Sequence, residues 1–241
     1  MAAALPLVLL HGIRLTHTMW HEHVAKLTSQ RRVVPIDLPG HGERAGQRFT
    51  MEAAADAVAD TIASVGGRAI VAGISLGGYS AIAAAQRHPD AVAGVVAFSC
   101  TAVPHPQRAT RYRMLAKLAG RRGEFVQRGL LRLRLGAESA AAVTAGGLHT
   151  AAVPDVITAV TSFDVLHALR AYPHKVWFIN GARDSFRVDE ETFVESSRDA
   201  KLVTVPRAGH LLTLTHGEVT SRLLSQAARA IDAGEPSTSA P

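Results

Sequence analysis

The sequence predicts an α/β fold: a mostly parallel sheet of about six strands flanked by helices, with a helical lid inserted before the fifth strand. Three observations predict it. Six short runs are apolar throughout rather than alternating, as strands buried on both faces of a parallel sheet must be. Longer helical stretches bounded by turn residues separate them, and strand–helix alternation on this scale gives an open sheet with helices on both faces. The chain has 241 residues, 47% hydrophobic and 19% charged, which is enough apolar material for one full core and excludes general disorder.

Leu7–Leu10 is the first run. The stretch Ala2–Leu10 has no basic segment ahead of it and leads straight into His11-Gly12, so it reads as a buried strand rather than a cleaved leader. Val33–Ile36 is the second strand, followed by a helix over Met51–Val65 with Thr50 as its N-cap. Ala69–Ala72 is the third strand, Gly78–Arg87 a helix stopped by Pro89, and Gly94–Phe98 the fourth strand. From Thr101 to His174 lie 74 residues, where a strand-to-strand crossover needs only a few tens. This interval reads as the lid: helices over Arg108–Ala119, around Phe125–Leu135, and over Asp155–Ala171 with Pro154 at N1. In the first, Tyr112, Leu115 and Ala119 share one face. Val176–Ile179 and Leu202–Val205 are the last two strands, and Gly217–Ala230 is the closing helix. Asp189, Glu190 and Glu191 mark the acidic start of another helix. The expected division is a core of residues 1–100 and 175–231, a lid of 101–174, and a disordered polar tail of 232–241.

A formal charge of +6 and a pI near 10.1 first suggest an anionic partner. The charge is local, however. Residues 105–137 carry nine Lys/Arg against Glu124 alone, a net +8, while the rest of the chain is net −2. Three readings of the basic segment stand: a solvated face in a chain with 22 Arg and four Lys, a nucleic-acid or anionic membrane surface, or attraction for a carboxylate- or phosphate-bearing substrate. The last would use Arg108, Arg111, Arg113, Arg121 or Arg122. No nucleic-acid motif or interleaved aromatic accompanies the charge, which argues against nucleic acid. No apolar stretch is long enough for an uninterrupted transmembrane helix. Cys100 is the single cysteine, so no intramolecular disulfide is possible, and the expected compartment is the reducing cytoplasm. Cys100 itself reads as a small core residue. Oligomeric state is not legible.

The most specific chemical signal is Gly73-Ile74-Ser75-Leu76-Gly77, between a strand and a helix. Serine on such a turn is held strained with its Oγ exposed. A weak nucleophile needs a base and an orienting acid. Of twelve histidines, His210 stands just after the last strand in Ala208-Gly209-His210, and Asp184 follows the fifth strand through Asn180-Gly181-Ala182-Arg183. All three would emerge at the carboxyl ends of parallel strands, where ligands bind. The backbone N–H groups of Ile13, after His11-Gly12, and of Leu76 are the candidate oxyanion donors, each typically worth about 3–4 kcal/mol of barrier. His11, His17, His21 and His23 form a cluster without a recognised zinc spacing, so no metal is expected and His11 is read as a brace for the oxyanion loop. Trp20 is either a core residue or a pocket wall, and Tyr79, Arg111 and Arg121 are further candidates for substrate contact.

Together these residues make the chain resemble the α/β-hydrolase superfamily. The matching pieces are "LLHG" with Trp20, "DLPGHG" at Asp37–Gly42, "GISLGG" at Gly73–Gly78, "NGARD" ending at Asp184 and "AGH" ending at His210. The sheet departs from that family's full form in lacking two edge strands. The serine separates the chain from members with an aspartate nucleophile, such as dehalogenases and epoxide hydrolases. The stretch from Gly73 to Ala102 is similar to small carboxylesterases and enol-lactonases. It also resembles the menaquinone-pathway synthase that eliminates pyruvate, which carries an arginine where this chain has Tyr79.

The resemblance implies a cofactor-free serine hydrolase acting on a small carboxylic ester or lactone, and the basic segment adds a bias toward an anionic one. Two other classes stay open: a lyase or cyclase using the same triad for proton transfer, and a ligand-binding receptor on a hydrolase scaffold.

Overall fold

The computed structural model describes residues 4–105 and 125–234. Six strands, β1 (Leu7–Leu10), β2 (Val33–Ile36), β3 (Ala69–Ile74), β4 (Val92–Phe98), β5 (Val176–Gly181) and β6 (Ala200–Val205), form one parallel sheet in the order β2-β1-β3-β4-β5-β6. The order reverses between β1 and β3, where Leu10 pairs with Gly73. That reversal sends the loops after β1 and β3 to opposite sides and opens a crevice at their carboxyl ends.

The predicted strands are all present; β1 and β2 keep their predicted bounds, and the other four are each two residues longer. The expectation of burial on both faces holds for β1, β3, β4 and β5 but not at the edges. β2 is half-buried throughout and β6 alternates toward solvent, with Leu202 exposed, because an edge strand is covered less completely. Alternate residues serve two cores. Val8, Leu10 and Val71 pack under α2 (Met51–Ser64), α3 (Leu76–Arg87) and α7 (Val165–Ala171). Leu7, Leu9, Ile70 and Ala72 pack under α1 (His21–Leu27) and α10 (Gly217–Asp232).

Local chemistry sets the helix ends. Thr50 Oγ1 accepts the Ala53 N–H at 3.0 Å and caps α2, as its sequence position predicts. The stretch expected as one helix over Asp155–Ala171 is two, α6 (Val153–Ser162) and α7, divided at Phe163-Asp164. Asp164 accepts the His167 N–H at 2.9 Å, and a carboxylate that caps a new helix competes with continuation of the old one. α7 packs on the sheet core through Val165, Ala168 and Leu169. The rest of the 101–174 insertion is described as residues 125–135 (α4), α5 (Ala137–Val143) and α6. The helix expected over Arg108–Ala119, with Arg111, and Arg121 beyond it, lie outside the described residues.

α10 runs to Asp232, where the polar tail was expected to begin. Asp232 pairs with Arg31 at 2.9 Å and accepts the Leu5 N–H, which fastens the helix end to the start of the sheet. Residues 235–241 lie outside the described chain. Two short helices complete the layers: α8 (Glu190–Glu195), with Glu190 and Glu191 in its first turn as expected, and α9 (Leu212–Thr215). Among the described residues no helix is long and apolar enough to cross a membrane.

Candidate active site

Ser75 sits at the β3–α3 junction with φ 54° and ψ −112°, a conformation a non-glycine residue adopts only when its surroundings enforce it. The enforcement is visible. Its N–H donates to the Phe98 carbonyl at 2.8 Å, and its carbonyl accepts from Gly78 and Tyr79 as the first turn of α3 closes. The helix begins at Leu76, two residues earlier than the sequence pattern suggests, because the elbow itself supplies the first turn. A Cβ on Gly77 would stand 2.3 Å from the Leu10 carbonyl oxygen, so only glycine lets α3 start this close to the end of β1.

Two other strands deliver the partners. Asp184 lies on the turn after β5, its N–H bonded to the Gly181 carbonyl at 2.9 Å. His210 lies beyond β6, past Arg207 with its positive φ. The two loops are cross-tied, since Ala182 N–H reaches the Val205 carbonyl and Arg183 N–H the Ala208 carbonyl. His210 Nε2 stands 3.2 Å from Ser75 Oγ, and His210 Nδ1 stands 3.1 Å from both oxygens of Asp184. The bond to Asp184 makes Nδ1 the protonated nitrogen and leaves Nε2 as the acceptor facing the hydroxyl. Asp184 is buried, and burial alone would raise its pKa. The hydrogen bond and charge of His210, then the Ser99 side chain and the Phe186 N–H (2.9 Å), outweigh that and hold the carboxyl below its usual range. Ser75 is half-buried and His210 partly exposed, so the serine and base meet solvent while the acid does not.

The N–H groups of Ile13 and Leu76 are bonded to no backbone carbonyl among the described residues. Gly12 packs on Ile74, which precedes Ser75, and this brings the loop after β1 against the elbow. The Ile13 side chain packs under Val153 and Ile157 of α6. His11 is fully buried; its Nδ1 donates to the Gly12 carbonyl and its Nε2 accepts from Leu38 N–H, a brace between the loops after β1 and β2.

The other candidates scatter. Trp20 is wholly buried against His23 and Phe98, a core residue rather than a pocket wall, because it ends the short helix His17–Trp20 that leads into α1 and packs in the core with Leu7, Leu9 and Leu27. Tyr79 is buried on α3 and donates its hydroxyl to the Ala102 carbonyl, anchoring the chain beyond β4. His17 bonds Asp37 and His23 bonds Thr220, and no group of three or more His, Cys, Asp or Glu among the described residues is arranged around a metal position. Cys100 is buried beneath the elbow, its thiol pKa pushed up by burial and by Asp184 nearby, which suits a core residue.

The sequence reading missed two contributors. Phe186 lies with its ring 4.5 Å from that of His210 and caps the acid through its N–H. The signal was its place two residues after an aspartate on a turn, where such bonds form. His41 of "DLPGHG" accepts the Arg14 N–H from the loop after β1. No periodicity marks it, since both partners lie in loops.

Known proteins match this chain along most of its length. The sequence pattern of the alpha/beta hydrolase family matches residues 7–223. A pimeloyl-[acyl-carrier protein] methyl ester esterase of Edwardsiella ictaluri is 33% identical over 141 residues, covering 56% of this chain and 54% of that protein. One from Neisseria meningitidis is 42% identical over 85 residues, covering 35% and 32%. The chain thus matches about half or less of the length of these curated relatives. The structure of a thermophilic esterase from Thermogutta terrifontis superposes with a TM-score of 0.76 at 25% identity, covering 96% of this chain and 92% of that one. The enol-lactonase of Burkholderia xenovorans LB400 shares the fold, with a TM-score of 0.76 at 19% identity, covering 94% and 92%. With the six-stranded parallel sheet and the strained serine elbow, the match over residues 7–223 identifies the chain as a member of the alpha/beta hydrolase family.

Proposed function

We propose that this protein is a serine hydrolase of small carboxylic esters or lactones, working through an acyl-enzyme on Ser75. The observation that carries the reading is the relay from Ser75 Oγ to His210 Nε2 (3.2 Å) and from His210 Nδ1 to Asp184 (3.1 Å), set on an elbow at φ 54°. Ser75 Oγ attacks the acyl carbon as its proton passes to His210 Nε2. The imidazolium is stabilised by Asp184, whose low pKa keeps it ionised. Negative charge developing on the carbonyl oxygen is held by the Ile13 and Leu76 N–H groups. Collapse expels the alkoxide, which takes the proton from His210. Water, activated by the same imidazole, then attacks the acyl-enzyme and releases the acid. None of these steps calls on a cofactor.

The relatives supply the substrates to try. Methyl esters of dicarboxylic acids, free and linked to an acyl carrier protein, follow from the names of the curated relatives, and an enol-lactone from that of the structural neighbour. The basic segment 105–137 favours the anionic members of such a panel. Hydrolysis of p-nitrophenyl butyrate by wild type and Ser75→Ala tests the reading. The variant should lose at least about 10³-fold in kcat, and a fluorophosphonate should add its mass at Ser75 in wild type alone. Undiminished turnover by Ser75→Ala would sink the proposal.

A further inference from the structure

The loops after β1 and β2 are joined by two fully buried histidines whose hydrogen bonds run in opposite directions. His11 donates from Nδ1 to the Gly12 carbonyl of its own loop (2.9 Å) and accepts at Nε2 from the Leu38 N–H of the other (3.0 Å). His41 donates from Nδ1 to the Pro39 carbonyl of its own loop (3.0 Å) and accepts at Nε2 from the Arg14 N–H of the first (3.3 Å). The ring centroids are 4.8 Å apart. Accepting a backbone N–H requires a neutral ring with its proton on Nδ1. Burial enforces that state, holding His11 down at about 3 and lowering His41.

The consequence falls on Ile13. In a trans peptide the C=O and N–H are antiparallel across one plane. The Gly12 carbonyl and Ile13 N–H share such a plane, so the bonds on the Gly12 oxygen, from His11 and from Leu15 N–H (3.2 Å), set where the Ile13 N–H points. The Ile13 carbonyl and Arg14 N–H share the next plane, which His41 holds. Arg14 has φ 70°, a conformation that persists only where neighbours impose it. The backbone N–H of His149 donates to the Arg14 carbonyl at 2.8 Å, and its Nε2 accepts from Gly42 N–H at 3.0 Å. Gly42 itself, at φ 49°, leaves no room for a Cβ beside the Asp37 carboxylate, so the loop carrying His41 is equally fixed.

We infer that His11 and His41 are a reciprocal pair of positioning residues that fix both peptide planes flanking Ile13 and so preorganise one oxyanion donor. The inference rests on the reading of Ile13 and Leu76 as donors for an ester cleaved at Ser75. Neither histidine touches the substrate.

Paired amide substitutions test it. In His41→Gln the amide reaches the Nε2 position and accepts from Arg14; in His41→Asn it reaches only the Nδ1 position. His41→Asn should lower kcat about 10- to 100-fold, part of the 10²–10³ that a whole donor is worth, with KM moved less than about threefold. His41→Gln should stay about tenfold faster than His41→Asn. At His11 the order inverts, because Asn keeps the donor to Gly12 that orients the Ile13 plane and Gln does not. An alkylboronic acid, to which Ser75 Oγ adds while its proton passes to His210, mimics the oxyanion, so its Ki should rise in step with the loss in kcat.

Melting temperatures identify which variants are folded, and the His11 pair carries the comparison if a His41 variant is not. Equal kcat for folded Asn and Gln variants, or a loss seen in KM with boronate affinity unchanged, overturns the pairing. Ser75→Ala is assayed alongside: full turnover by that variant defeats the site reading itself, whatever the histidine variants do.

Discussion

Asp184 is held by partners from two sides. Its carboxylate is buried, yet it accepts from His210, and the Phe186 N–H two residues on closes a turn around it. Because its folded pKa lies below the unfolded value of about 3.9, it stabilises the fold fully above that pH and loses the contribution as pH falls through the folded value. Urea unfolding over a pH series should therefore show wild type losing stability relative to Asp184→Asn below about pH 4. The same substitution should reduce kcat about 10⁴-fold at neutral pH, because the amide favours the wrong imidazole tautomer. The residues around Asp184 were only partly legible. Ser75, Asp184 and His210 each announce themselves by a strand end and a glycine-bearing turn, whereas Phe186 and His41 act through loop contacts that leave no sequence period.

At the scale of elements, α3 sets the geometry. From Leu76 to Ala85 every residue is buried, between the sheet on one side and α2 and α7 on the other. Ala81, Ala83, Ala84 and Ala85 are what such close packing needs, and they account for part of a chain rich in alanine and poor in aromatics. Gly77→Ala would drive a methyl into the Leu10 and His11 carbonyl oxygens. It should cost about 1–3 kcal/mol in urea unfolding and remove most of kcat, since the shift moves the Leu76 N–H proposed as an oxyanion donor. Thr50→Ala, by contrast, removes only the cap of α2 and should cost about 1 kcal/mol with kcat unchanged. The division of α6 from α7 was not foreseen, because apolar spacing continues across Phe163-Asp164 while the capping choice of Asp164 depends on where α7 docks.

The whole molecule is a nearly balanced body carrying a strongly basic segment. Reversing Arg111 or Arg121 should raise KM for anionic esters and leave that for neutral esters alone if the segment attracts substrate; an unchanged KM for both would leave it a solvated face. The ends of the chain are tied by Arg31, whose side chain is 3% exposed, bonded both to the Leu5 carbonyl and to Asp232. Asp232→Ala takes from the buried guanidinium its charged partner at the surface, and equilibrium unfolding should show a loss of about 1–3 kcal/mol.

By itself the sequence determined the layers and the position of the candidate site. Apolar runs of strand length force a parallel sheet buried by helices, and glycine-flanked Ser75, with Asp184 and His210 after later strands, places the three candidate residues at one edge of it. Those signals are local, because backbone propensity and strand burial act over a few residues. Only the tertiary structure decided what the loops do to one another. The reciprocal bonds of His11 and His41, the ring of Phe186 against His210, the burial of Trp20 and the fastening of Asp232 to Arg31 all join residues that no period relates. A hydrogen bond between two loops is fixed by where their supporting strands lie in the sheet, and that order, reversing between β1 and β3, exists only once the chain has folded.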